Sequence, residues 1–106
     1  MEILQGTLDL LVLQTLATLG PMHGWGVARR LEQISGDRVN LNYGTLYPAL
    51  IRLEQKGWIR SSWGTSENNR RAKFYSLTKQ GQHQLTLEKN SWQEITAFIS
   101  RVLGES

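Results

Sequence analysis

The sequence contains no cysteine. That excludes disulfides, cysteine-bound iron–sulfur clusters and thiolate zinc sites. It also fits a reducing compartment, so a cytoplasmic location is expected. Histidine is almost as scarce. His23 and His83 stand 60 residues apart, with no spacing for a metal-binding pair. No metal and no cofactor is expected. Phosphate-cradling glycine loops, nucleophile elbows and carboxylate pairs are missing too, which argues against an enzyme. No apolar run reaches the roughly 18 residues that a membrane helix needs. No basic segment near the N-terminus leads into an apolar stretch, and Asp9 interrupts the leucine-rich run, so neither a signal peptide nor a membrane partner is expected.

What is there fits one small domain of 106 residues. The net charge is only +3, but it is unevenly placed. Over residues 52–79, Arg52, Lys56, Arg60, Arg70, Arg71, Lys73 and Lys79 oppose only Glu54 and Glu67. That stretch therefore carries +5 and leaves −2 for the rest of the chain. A local basic surface suits a polyanion. A hairpin with polar, basic tips unrelated to any ligand gives the same count.

Helical periodicity covers most of the chain. A first helix is predicted over 6–19, with Thr7 as its cap and Gly20-Pro21 as its stop. It is apolar nearly all round, with one stripe of Leu8, Leu11, Val12, Thr15 and Leu19 and another of Leu10, Leu13 and Ala17. Such a helix is buried on more than one side, and its second surface is expected against another subunit, through Leu10 and Leu13. A second helix is predicted over 24–35, with Val27, Leu31 and Ile34 inward and Gly36 ending it. A third runs from a cap at Asn42 to Lys56-Gly57, with Leu46, Ala49, Leu50 and Leu53 inward. Pro48 should tighten or kink its early part without abolishing it.

The period then switches to alternation. Residues 58–63 and 72–77 read as paired strands around a polar tip at 64–69. A last helix is predicted from a cap at Thr78 to about Leu103, with an apolar stripe that includes Trp92, Ile95, Phe98, Ile99 and Val102. A stripe that overhangs so small a domain is an association surface, or else it folds back onto its own domain. The chain therefore divides into a 1–77 unit and a 78–106 dimerisation helix. The fold class is mainly α with a small β-hairpin wing: a winged helix-turn-helix plus a long C-terminal helix.

In that fold the third helix enters the major groove of duplex DNA. Its outward residues, Asn42, Tyr43, Thr45, Tyr47 and Arg52, are the candidate base and phosphate contacts. Arg70, Arg71 and Lys73 on the wing are the candidate phosphate contacts. The tyrosines could equally pack against the wing, and the arginines could be a solvated tip.

The run Tyr43-Gly44-Thr45-Leu46-Tyr47-Pro48-Ala49-Leu50, continuing through Arg52-Leu53-Glu54 to Gly57, resembles the signature of the PadR family of transcriptional regulators. Gly6-Thr7-Leu8, His23-Gly24, the wing run from Arg70 to Thr78, and Gly81 are similar to that family as well. The resemblance spans essentially the whole chain and implies a winged-helix homodimer on a palindromic operator, acting as a repressor that a small-molecule effector relieves. Trp92 matches the position where multidrug-sensing members place a tryptophan in a ligand-binding pore at the dimer interface. Trp25 departs from the family, which often has tyrosine there. Two readings stay beside this one: a winged-helix module that binds protein, and a small-molecule sensor that does not bind DNA.

Overall fold

A computed structural model describes residues 5–105, without the side chains of Gln5 and Tyr43. The elements run α1 (Gln5–Leu19), β1 (Met22–His23), α2 (Gly24–Ile34), α3 (Tyr43–Gln55), β2 (Ile59–Thr65), β3 (Arg71–Leu77) and α4 (Lys79–Val102). The strands form one antiparallel sheet in the order β1-β3-β2. This is the mainly α fold with a β-hairpin expected from the sequence, plus one short strand that periodicity did not reveal. Two residues are too few to carry an alternation, and β1 exists because Met22 and His23 pair with Tyr75 and Phe74.

The elements stop where local chemistry stops them. The Asn42 side chain accepts from the Thr45 amide at 2.9 Å, so it caps α3 as its position suggests. At the other end Gly57 takes φ +78°, and the Trp58 amide donates to the Leu53 carbonyl. That is the left-handed turn glycine permits. Thr78 caps α4 by accepting from Gly81 N–H at 3.0 Å. Thr7 is not a cap, because α1 has already begun at Gln5. α3 runs unbroken through Pro48. Gly64, expected in the turn, lies inside β2, where the Phe74 ring covers it so closely that a Cβ would sit 3.0 Å away.

The core gathers Leu8, Val12, Leu13 and Leu16 of α1, Val27, Ala28 and Leu31 of α2, and Leu46, Ala49, Leu50 and Leu53 of α3. Ile59, Tyr75 and Leu85 close it from the sheet and α4. α1 is the central element and packs against α2, α3, β3 and α4. Its second apolar side is therefore spent within the same chain. Leu13 is 0% exposed and drops out of the expected subunit interface, while Leu10 stays half-buried at the core's edge. Ile34, read as inward, is 64% exposed, because α2 ends at that residue, beyond the packed face formed by Gly24, Val27, Ala28 and Leu31.

α4 begins inside this core and then leaves it. Gly81 and Leu85 are buried, whereas nearly every later residue of the helix is exposed. Gly81 has a strict steric reason: a Cβ there would lie 1.9 Å from the Trp58 carbonyl oxygen. Gly81→Ala must push the helix off the sheet, and should cost about 2 kcal/mol or more of stability. Thermal and urea unfolding check this, with Gln82→Ala, an exposed neighbour, as the control that should melt like the parent.

Candidate nucleic-acid interface

α3 has three sides. Leu46, Ala49, Leu50 and Leu53 face the core. Gly44, Pro48, Ile51 and Gln55 face outward and are exposed. Thr45 and Arg52 share one flank and Tyr47 and Glu54 the other, as a 100° step per residue requires. The Glu54 flank meets the sheet, where its carboxylate accepts from Ser61 Oγ at 2.6 Å. Tyr47 is therefore aimed toward the wing.

The Arg52 flank meets α1. The Arg52 guanidinium forms a two-pronged ion pair with Asp9, its Nη2 to Oδ1 and its Nε to Oδ2 at 3.4 Å. Asp9 is buried, and nothing but Arg52 balances its charge among the described residues. Arg52 was expected on the DNA-facing surface. The structure instead commits it to holding α3 against α1, because residue 9 meets residue 52 only through the tertiary fold. Asp9, read from sequence only as a break in a leucine run, is the partner the reading lacked.

The sheet contributes through its alternation. Ile59, Ser61, Trp63 and Thr65 share one face with their partners Leu77, Tyr75, Lys73 and Arg71. At the base that face is core, with Ile59 and Tyr75 buried. Further out the same face carries Trp63, Lys73 and Arg71. The Arg71 guanidinium lies 4.9 Å over the Trp63 ring.

These pieces enclose an open groove of about 690 Å³ between the start of α2, the Tyr47 flank of α3 and the wing. Tyr47, Arg70, Arg71 and Lys73 line it together, and so do Trp25, noted from sequence only as a departure from the family, and Trp63, to which the sequence reading gave no site role. His23 fixes the α2 side: its Nδ1 accepts from Gly26 N–H at 2.9 Å, and its Nε2 lies 4.0 Å from Glu67 in the wing tip. Asn42 and Thr45 lie at the exposed first turn of α3, but the Asn42 Oδ1 is occupied as the cap. Tyr43 opens α3, and its side chain falls outside the described residues. Trp92, Ile95, Phe98, Ile99 and Val102 lie exposed along α4, away from this groove. Leu87 and Leu103 lengthen that apolar surface. Among the described residues no group of His, Asp and Glu is placed to hold a metal ion, and no helix is long and apolar enough to cross a membrane.

Three helices, a hairpin packed beside the third of them and a long terminal helix define a winged helix-turn-helix protein. The chain belongs to the PadR-like family of transcriptional regulators, whose family model matches residues 12–87. That is a family of regulators and not of enzymes. The fold is similar to a PadR family transcription regulator from Clostridium difficile, with 29% identity, a TM-score of 0.78, and coverage of 91% of this chain and 97% of that one. It is also similar to a transcriptional regulator from Clostridium thermocellum, with 25% identity, a TM-score of 0.81, and coverage of 92% and 93%. A 37.1 kDa protein in a transposon of Streptomyces fradiae is 38% identical over 91 residues. Those residues are 86% of this chain, which spans about a quarter of that relative's length (24%).

The ion pair gives a direct test. Arg52→Ala leaves the Asp9 carboxylate buried without a counter-charge. The expected loss is roughly 2 kcal/mol, below the 3–5 kcal/mol of a fully buried pair because Arg52 keeps part of its side chain in solvent. Urea unfolding reads this, and the double variant Asp9→Leu with Arg52→Met should recover much of the loss.

Proposed function

We propose that this chain is a homodimeric, sequence-specific DNA-binding regulator, acting from the cytoplasm as a repressor whose grip on an operator a small-molecule effector relieves. The observation that carries the DNA reading is the shared groove. The Tyr47 flank of α3 and the cationic face of the wing border one open channel, with Arg70, Arg71 and Lys73 on its wing side. An α-helix fits the major groove, and cations beside it neutralise the flanking phosphates. Asn42, Tyr43, Thr45 and Tyr47 are the proposed base-side residues. The family and the fold both support this role.

The dimer reading rests on α4. Phe98 is 60% exposed, and Trp92, Ile95, Ile99 and Val102 line the same helix. The helix has 24 residues, about 36 Å of length. Only its first turns pack on the core, so it has not folded back on its own domain. A second copy of the chain covers such a stripe, with Leu10 at its margin, and residues 78–106 act as the dimerisation segment. Two half-sites then bind together, which raises affinity by effective concentration. Trp92 on that interface is the proposed effector contact.

Three measurements test the reading. Selection of duplexes from a random pool at two salt concentrations should yield a palindrome, with affinity falling steeply as salt rises. The Arg70→Ala, Arg71→Ala double variant should bind more weakly and lower the magnitude of the salt slope by about 2 for each bound protomer, about 4 for the dimer. An unchanged slope removes the wing from the phosphate footprint, and no duplex binding at low salt leaves the protein-binding or sensor readings. For the interface, Phe98→Glu should yield monomers in analytical ultracentrifugation and lower operator affinity by at least about tenfold. A stable dimer carrying Phe98→Glu would refute the α4 interface.

A further inference from the structure

Two indoles in the groove stand outside the core. Trp25 is 62% exposed and Trp63 is 60% exposed, and neither belongs to the core. Large aromatic rings left in water are unusual for a small domain unless something covers them. Both line the one groove that Tyr47 and the wing cations border. They come to it from different elements: Trp25 from the first turn of α2, Trp63 from the wing.

We propose that this groove is a strand clamp, in which Trp25 and Trp63 close on one sugar–phosphate strand of duplex DNA. The inference rests on the DNA-binding reading above and adds its non-ionic half. Charge selects the occupant. Arg70, Arg71 and Lys73 line the channel against the single acid Glu67. A sugar–phosphate strand matches that mixture, since its deoxyribose faces are apolar and its phosphates anionic. The indoles take the sugars, and the cations take the phosphates. Arg71 sits on the face of Trp63, so one wall presents both chemistries at once. Position agrees as well: with α3 in a major groove, a bordering strand must run between that helix and the wing.

The clamp differs from base reading and from phosphate pairing in what it predicts. Sugar contacts carry no sequence information and release no counterions. Trp25→Ala and Trp63→Ala should each weaken binding about tenfold, the effect of uncovering part of an indole. The loss should be equal for the selected operator and for a random duplex, with the salt slope unchanged in Trp25→Ala, whose ring carries no stacked cation among the described residues. Trp25→Phe and Trp63→Phe should keep most of the affinity. Both residues are exposed, so thermal unfolding of the variants should match the parent.

Fluorescence anisotropy with both duplexes over a salt series gives every reading. Unchanged affinity in either alanine variant overturns the clamp. A loss confined to the operator, or a changed slope in Trp25→Ala, overturns it too. A free nucleotide such as dAMP that saturates the groove, while duplex binding ignores Trp25, makes the groove a small-ligand site and also overturns it. Failure of the DNA-binding reading looks different, because the unaltered protein then binds neither duplex.

Discussion

The frame of this molecule is set at the Trp58 carbonyl. The Thr78 amide donates to it at 3.0 Å, and Gly81 lies so close that no side chain fits between. Thr78 Oγ1 also donates to the Gly57 carbonyl at 2.6 Å. Gly57 ends α3, Trp58 leads into β2, and Thr78 leaves β3 and caps α4. One small cluster of backbone groups therefore fixes α3, the wing and α4 relative to one another. These contacts are short and directional, and a peptide carbonyl tolerates little displacement before its bond is lost.

That frame lets one β-sheet face serve two purposes. Near the junction, Ile59 and Tyr75 fill the core. Four residues beyond Ile59 and two before Tyr75, the same face presents the exposed Trp63 beside the half-buried Lys73. The period of two does not change; only the distance from the core does. Phe74 points to the opposite side, where it covers Gly64 and meets the His23 ring at 5.7 Å. The wing is thus packed from its back face while its front face stays open. The Asp9–Arg52 pair does the equivalent for α3, pinning one flank so that the other borders the groove.

The sequence was legible where its signals are local. Asn42, Gly57 and Thr78 cap or end their helices through bonds within a few residues, and each was readable from neighbours alone. The inward face of α3 followed from its period. Thr7, Gly64 and Ile34 were misread locally, at the ends of elements, but the failures that bear on the site are long-range. Arg52 has the right period for an outward flank, and only the fold brings Asp9 to it, 43 residues away in sequence. A helix apolar on every side does not say which neighbour covers which side, so Leu13 was assigned to another subunit when its own chain encloses it. Trp25 and Trp63 look like core by residue type, and nothing nearby marks them as groove walls.

The same frame constrains how an effector could act. On the proposed dimer, α4 carries the subunit contact and α3 the base contacts, and both are locked to the Trp58 junction within a protomer. A ligand between two α4 helices has little scope to bend one protomer internally. What it can change is the angle and spacing between protomers, and that moves the two α3 helices as rigid bodies. Its effect on DNA then equals its preference for one spacing over another, and the same coupling makes DNA alter the ligand's affinity reciprocally. A compound that binds the α4 interface with equal affinity at every spacing changes nothing, however tightly it binds. Regulation in this architecture is therefore a matter of geometry between subunits, and the stiffness of the junction transmits it.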